Sequence, residues 1–121
     1  MIFNFFFSFS MKDYNKNKDP IYRKINDNSG YVIFYSEWCG WSMKAVSLLE
    51  KAGVKCKGYI IDKIKGEIKG DLSLLLERLK LNSEELKFDN KHKTRPLIFK
   101  DGQFIGGHDA LVQHLKNKKL I

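Results

Sequence analysis

A chain of 121 residues is long enough for one domain with a modest core and too short for two. Hydrophobic residues make up 43% of it and aromatic residues 13%, which excludes an intrinsically disordered protein. Lysine and arginine number 22 against 14 acidic residues, a net charge of +8 that attracts anions, but no basic stripe with interleaved aromatic residues predicts a nucleic-acid partner.

The N-terminal segment, residues 1–18, is predicted to be a disordered or dispensable tail ahead of one domain over residues 19–121. Its apolar run, Ile2–Phe9, is far shorter than the ~20 residues that cross a bilayer. The run also lacks the basic start and small-residue cleavage site of a signal peptide, so we expect no stable membrane insertion. A second methionine, Met11, leaves two candidate translation starts.

The two cysteines, Cys39 and Cys56, have neither the CxxC spacing of a redox pair nor the ligand spacing of a zinc site. A secreted domain held together by disulfides is therefore not expected. A reducing compartment suits free cysteines, so we expect the protein to be cytoplasmic.

The first half of the domain carries the pattern of a helix, a strand, a helix and a strand. Asp19 is placed to cap the first helix. Tyr31–Tyr35 is a continuous β-branched and aromatic run, short enough for a buried strand. A helical pattern then runs from Met43 to a stop at Gly53. The second strand is predicted over Gly58–Asp62, parallel to the first because a helix connects the two.

The second half begins with a charged, glycine-punctuated stretch and adds two helices, a hairpin and a last helix. The predicted elements are helices over Asp71–Leu79 and Asn82–Leu86, strands over Leu97–Phe99 and Phe104–Ile105 joined by the turn Lys100–Gln103, and a helix with the apolar stripe Leu111–Leu115. Two parallel strands followed by a hairpin give an α/β fold with a four-stranded mixed sheet flanked by helices. That arrangement is thioredoxin-like.

Cys39 lies between the end of the first predicted strand and the start of a helix. A helix N-terminus offers unpaired N–H groups and a partial positive charge, which favour the thiolate, the reactive form of cysteine. The carboxyl edge of such a sheet is also where these folds bind ligands. We therefore predict that Cys39 is a nucleophile. Cys56 is predicted to be a buried structural residue.

The sequence contains Trp-Cys-Gly-Trp-Ser at residues 38–42, Thr-Arg-Pro at 94–96 and Gly-Gly-His-Asp at 106–109. In this order, these three motifs resemble those of the glutaredoxin family. Trp38–Ser42 (Trp-Cys-Gly-Trp-Ser) resembles the active-site loop, which usually reads Cys-Pro-Tyr-Cys or, in monothiol members, Cys-Gly-Phe-Ser. Thr94–Pro96 (Thr-Arg-Pro) is similar to the family's Thr-Val-Pro, whose proline is cis and faces the cysteine. Gly106–Asp109 (Gly-Gly-His-Asp) resembles the turn that holds the γ-glutamyl end of glutathione. Together they identify the domain as a glutaredoxin-like one.

The resemblance implies a glutathione-dependent oxidoreductase in which Cys39 attacks a glutathionylated sulfur. Trp41 would pack beside the tripeptide, and the backbone of Arg95 would pair with its cysteine like an added strand. Pro96 would keep backbone donors clear of the sulfur. The implied glutathione contacts are Trp41, Thr94, Arg95, Pro96, Gly107, His108 and Asp109, with His92 as a further candidate.

The chain departs from the family pattern at several positions. Ser42 replaces the second cysteine of the loop, so no disulfide can form within it. Ser36 stands where many members have a lysine that binds the glycyl carboxylate of glutathione, and His92 or Lys93 is the candidate replacement. The segment Lys63–Lys93 is longer than in the family and matches none of its known parts.

Two functions fit a single active-site cysteine. In the first, a monomer reduces glutathionylated proteins or small glutathione disulfides by a monothiol route. In the second, two copies each contribute Cys39 and one glutathione thiolate to a bridging [2Fe–2S] cluster. The Gly-x-Ser ending of the loop favours the cluster. The short spacer Ser36–Trp38 is typical of the catalytic class, and we favour catalysis.

Overall fold

The computed structural model describes residues 14–121. The predicted tail, residues 1–18, lies for the most part outside this range, together with Ile2–Phe9 and both candidate start methionines. Its assignment as a tail stays a prediction. Between residues 14 and 121, no helix is long and apolar enough to cross a bilayer.

The helices and strands follow one another along the chain in the predicted order. Between residues 14 and 121 the elements are α1 (Pro20–Asn26), β1 (Tyr31–Tyr35), α2 (Gly40–Ala52), β2 (Cys56–Ile60), α3 (Leu72–Lys80), α4 (Ser83–Leu86), β3 (Leu97–Lys100), β4 (Gln103–Gly106) and α5 (His108–Asn117), with single 3-10 turns at Lys16–Lys18, Ile61–Lys63 and Gly66–Ile68.

The four strands form one mixed sheet in the order β2-β1-β3-β4. β1 pairs with β2 in parallel and with β3 antiparallel, and β3 pairs with β4 antiparallel. This topology confirms the predicted thioredoxin-like fold. β2 starts two residues earlier than predicted, at Cys56, and ends at Ile60. It ends there because its partner β1 stops at Tyr35, so later residues have no strand to pair with.

β1 is central in the sheet and is covered by helices on both faces. Val32 and Phe34 face a cluster that includes residues of α1, α3 and α4, whereas Ile33 faces α2 and α5. All three side chains are at most 2% exposed. Burial on both faces explains why the strand is a continuous apolar run rather than an alternating one.

The long Lys63–Lys93 segment is part of the core. Ile68, Leu75 and Phe88 from this segment are buried in the same cluster as Phe34. The segment therefore covers one face of the sheet. Its additional residues pack on the face opposite to α2.

Asp19 ties the start of α1 to this segment. Its carboxylate accepts a hydrogen bond from the backbone N–H of Ile21 at 2.9 Å, which makes it the predicted cap of α1. The same carboxylate accepts from Arg78 Nη1 at 3.2 Å and from the Tyr14 hydroxyl at 2.6 Å. Its side chain is 1% exposed, so these partners compensate the cost of burying its charge.

We expect Leu75→Ala to lower the free energy of unfolding by about 2–5 kcal/mol, because its side chain is fully buried and nothing refills the cavity. Leu74→Ala is the matched control on the same helix: Leu74 is 38% exposed, and the loss should stay below about 1 kcal/mol. Urea denaturation measures both. Equal losses would contradict the docking of α3 against the sheet.

Candidate active site

Cys39 is the residue that caps α2. Its backbone is extended, with φ −94° and ψ 117°, and its carbonyl accepts the Met43 N–H at 3.0 Å as the helix starts. Its own N–H donates to the Ser36 carbonyl at 3.1 Å, which closes a tight turn after β1. The sulfur is thus carried by a short turn between a buried strand and a helix, and it is partly exposed.

The local environment favours the thiolate of Cys39. Burial alone would raise the pKa of the thiol. Hydrogen bonds from the backbone N–H and the hydroxyl of Ser42 and from the N–H of Trp41, with the positive charge of Arg95, outweigh burial, so the pKa is lowered. Ser42 is completely buried, and its Oγ also accepts the Ser36 N–H at 3.3 Å. Ser42, which stands in place of the second loop cysteine, therefore stabilises the thiolate of Cys39.

A groove of about 340 Å³ contains seven of the eight residues predicted to contact glutathione. It is lined by Trp41, Thr94, Arg95, Pro96, Gly107, His108, Asp109 and Ala110. The peptide bond between Arg95 and Pro96 is cis, as the resemblance implied. A larger cavity, about 660 Å³, lies beside β2 and contains none of the predicted site residues. The smaller groove is the candidate site because of the residues that line it, and not because of its volume.

His92, the eighth predicted residue, lies behind the groove. Its Nε2 donates to the Thr94 carbonyl at 2.8 Å, and its ring packs edge-on against Phe104 at 5.1 Å. A side chain at Gly107 would come within 3.4 Å of this ring. His92 therefore supports the loop that carries the proline motif, and its contact with a ligand stays a prediction.

The glycine pair lets the chain pass from β4 directly into α5. Gly106 has φ +138°, and a Cβ there would lie 2.7 Å from the Ala110 Cβ, so only glycine fits. Gly107 caps α5 without a side-chain hydrogen bond, which leaves the first N–H groups of the helix available to an anion. The Asp109 carboxylate is 95% exposed and can receive an ammonium group.

Trp41 forms the wall of the groove next to the cysteine. Its ring lies between the Lys44 ammonium, 4.6 Å from the ring centre, and the His108 ring at 5.1 Å. The Lys44 ammonium is within cation–π distance of this ring, so its charge stabilises the position of Trp41. The exposed face of Trp41 offers a flat apolar surface to a ligand.

A second cluster beside Cys39 was not predicted from the sequence. The buried Ser36 hydroxyl and the Trp38 Nε1–H both donate to the Asp62 carboxylate, the latter at 2.8 Å. These two hydrogen bonds, with the charge of Arg95, lower the pKa of Asp62. The Arg95 guanidinium lies over the Trp38 ring at 4.7 Å. Asp62 was detectable in principle, because the carboxyl ends of parallel strands share one edge of a sheet.

Cys56 lies at the other end of the sheet from Cys39. It pairs with Tyr31, the first residue of β1, whereas Cys39 follows the last. The prediction of a buried cysteine was wrong, because β2 is an edge strand and the residue is exposed. Its sulfur is nevertheless locally desolvated, which raises its pKa to about 11, so Cys56 is a poor nucleophile at neutral pH.

Comparison with known proteins decides the family. No family model matches the chain. Over 98 residues it is 37% identical to a probable glutaredoxin of Acanthamoeba polyphaga mimivirus, a match that covers 79% of this chain and 89% of the relative. The chain belongs to the glutaredoxin family. Membership makes it a thiol oxidoreductase of the glutathione-dependent kind, as the motifs implied.

Solved glutaredoxins share the fold. The buckwheat glutaredoxin–glutathione complex matches with a TM-score of 0.61 and 22% identity over 82% of this chain and 78% of that one. The dithiolic glutaredoxin of Trypanosoma brucei brucei matches with a TM-score of 0.61 and 25% identity over 83% of this chain and 89% of that one. The four-stranded sheet and its helices are therefore those of the family.

We expect Ser42→Ala to raise the pKa of Cys39, because the hydroxyl that stabilises the thiolate is removed. At a pH below that pKa, the thiolate fraction and the rate of iodoacetamide alkylation should both fall. The control is Ser47→Ala, an exposed serine on the same helix. Ultraviolet absorbance of the thiolate against pH measures the shift, and an unchanged pKa in Ser42→Ala would contradict the assigned hydrogen bond.

Proposed function

We propose that the chain reduces glutathione mixed disulfides by a monothiol route in which Cys39 is the nucleophile. The observation that best supports this route is that Ser42, which stands in place of a second cysteine, lowers the pKa of Cys39. One thiol with a lowered pKa stands next to the groove, and its neighbour in the loop stabilises it but cannot form a disulfide with it.

In the first step the Cys39 thiolate attacks the glutathione sulfur of the mixed disulfide. A new bond forms between the two sulfurs, the old disulfide bond breaks, and the substrate thiol leaves with the electron pair and takes up a proton. The protein now carries glutathione on Cys39, and the substrate has been reduced.

In the second step a second glutathione thiolate attacks the glutathione sulfur on Cys39. Glutathione disulfide leaves, and the Cys39 thiolate is restored. Over the whole cycle the substrate sulfur is reduced and the sulfur of the incoming glutathione is oxidised, while the glutathione that came from the substrate stays in a disulfide. A leaving thiolate of low pKa departs faster, and the hydrogen bonds that lower the pKa of Cys39 therefore assist this step as well.

The groove supplies groups of the right chemistry for two parts of glutathione. The exposed face of Trp41 suits the methylene groups of the tripeptide, and the backbone beside the cis Arg95–Pro96 bond would offer hydrogen bonds to its cysteine. The N-terminus of α5 and the carboxylate of Asp109 suit the carboxylate and ammonium of the γ-glutamyl end. The buckwheat relative, whose structure is a complex with glutathione, supports this proposal.

The alternative function is a [2Fe–2S] cluster bridged between two copies, with Cys39 and a glutathione thiolate from each. Between residues 14 and 121, no three His, Cys, Asp or Glu side chains come together to hold a metal. Cys56 is at the opposite end of the sheet. One copy therefore offers a single sulfur ligand, which is all that a bridged cluster would take from it, so the cluster function requires a dimer. We favour catalysis because the short spacer Ser36–Trp38 before the cysteine is typical of the catalytic class.

We expect the purified protein to reduce the mixed disulfide of glutathione and 2-mercaptoethanol, and Cys39→Ser to abolish turnover because the nucleophile is lost. The control Cys56→Ser should keep full activity, since that thiol is distant and has a raised pKa. A glutathione reductase-coupled assay measures both rates. Activity that survives in Cys39→Ser, or disappears in Cys56→Ser, would contradict the assignment.

Anaerobic reconstitution with iron, sulfide and glutathione separates the two functions. Catalysis as the main activity predicts turnover of the mixed disulfide and a monomer after reconstitution by size-exclusion chromatography. A stable dimer with visible charge-transfer absorption and negligible turnover would show the cluster function instead.

A further inference from the structure

The larger cavity, of about 660 Å³, lies along the open edge of β2. Its walls come from α1, from β2 and from the stretch after β2 that contains the 3-10 turns Ile61–Lys63 and Gly66–Ile68. A cavity of about 150 Å³ already holds benzene, so this one has room for a hydrocarbon body several times larger. It shares no lining residue with the groove beside Cys39.

The interior of this cavity is apolar. Ile21 and Ile68 are its most deeply buried lining residues, at 2% and 4% exposed. Tyr59 and Ile64 pack against the same core cluster but are only half-buried, and so is Ile60. Their uncovered sides still contact water. A hydrocarbon that covered them would therefore gain free energy from the removal of apolar surface from water.

The charges in the lining do not cancel. Among the lining residues that the structure describes, the one acid is Glu67, and it accepts a hydrogen bond from Arg78 Nη2. That pair is neutral as a whole. The other charged lining residues are all lysines, and they are Lys24, Lys63 and Lys65.

These three lysines have little compensation from acidic side chains. The Lys24 ammonium lies 5.4 Å from the centre of the Tyr59 ring, at the apolar wall itself. Lys63 Nζ is 4.0 Å from Glu37 Oε1, and both side chains are exposed, so the pair is weak. No salt bridge between residues 14 and 121 includes Lys24 or Lys65. Charges of one sign around an apolar cavity focus their field on it and attract an anion.

The outer wall of the cavity is held in place by the backbone. The Gly70 N–H donates to the Ile64 carbonyl at 2.8 Å, which closes the stretch between the two residues into a loop. Gly70 has φ +65°, and a Cβ there would lie 2.6 Å from the Asp62 carbonyl oxygen, so only glycine fits. This wall is the first part of Lys63–Lys93, the segment for which the family motifs give no role. The segment therefore builds a cavity as well as a core.

We propose that this cavity binds an alkyl carboxylate, with its hydrocarbon chain in the apolar interior and its carboxylate at the lysines of the rim. An aliphatic chain suits a lining in which four residues are isoleucines, and a lysine ammonium on a flexible stem can follow a single carboxylate. None of these contacts involves Cys39, so the site is independent of the proposed function.

The alternative occupant is a protein strand that pairs with the free edge of β2. Only every second side chain of such a strand would point to the face that carries the cavity. Those few side chains would fill a small part of a space that extends to α1 and to Ile68. The volume and the three lysines therefore favour a small amphiphilic anion.

The test is isothermal titration calorimetry of the full chain with octanoate, decanoate and dodecanoate, each below its micelle concentration. We expect one site, with an affinity that rises about fourfold for each added methylene group. Decanol has the same chain without the charge and should bind roughly tenfold more weakly than decanoate. Decyltrimethylammonium, which has the opposite charge, should not bind.

Lys24→Gln and Lys65→Gln should each weaken the binding of decanoate by roughly threefold and leave decanol unchanged, because only the carboxylate loses a partner. The matched control is Lys116→Gln on α5, which removes an exposed lysine far from the cavity and should change neither affinity. Ile64→Asp should abolish the binding of both compounds, since it places a carboxylate in the path of the chain. Urea denaturation checks that this variant is folded.

Amide shifts in NMR spectra of the ¹⁵N-labelled protein locate bound decanoate. We expect them at Gly58 and Gly66, which line the cavity, and not at Gly107 in the groove. Shifts centred on Gly107, equal affinities for decanoate and decanol, or lysine variants without effect would each overturn the proposal. If no alkyl compound binds, the proposal is wrong and a protein strand is the remaining occupant. Turnover by Cys39 is measured separately and is not affected by any of these results.

Discussion

The site depends on the short turn that joins a strand buried on both faces to the first residue of a helix. Val32, Ile33 and Phe34 are packed from both sides, so β1 cannot slide without exposing one face of its apolar run. The turn after it is closed by the hydrogen bond from the Cys39 N–H to the Ser36 carbonyl. Packing of the core therefore fixes the position of the Cys39 sulfur, and the N-terminus of α2 supplies the helix dipole beside it.

Three side chains near the Cys39 turn each make a different contact. They are Ser42, Arg95 and Lys44. Ser42 supplies a neutral donor to the thiolate, where a second cysteine would supply a resolving thiol. Arg95 supplies the positive charge, held over Trp38 by way of Asp62. Lys44, although it lies on the same helix, is directed to Trp41. The net charge of +8 is consistent with an anionic substrate.

The sequence was sufficient for the features that depend on local pattern. The apolar run of β1, the helix cap at Asp19 and the place of Cys39 between strand and helix all follow from neighbouring residues. Features that depend on contacts between residues far apart in the sequence could not be predicted. The first residue of β2 depends on its register with Tyr31, and the exposure of Cys56 depends on β2 being at the edge of the sheet. The contact between Trp38, Asp62 and Arg95 joins three loops that only the folded sheet brings together.

The most direct test of the account is to map where glutathione attaches when the protein is exposed to one equivalent of glutathione disulfide at neutral pH. Peptide mass spectrometry under non-reducing conditions, quenched at a series of times, gives the occupancy of each cysteine. The account predicts a single glutathione on Cys39 and none on Cys56 during the early time points. Attachment to Cys56 first, or to both cysteines at equal rates, would contradict the claim that the turn before α2 creates the reactive thiolate.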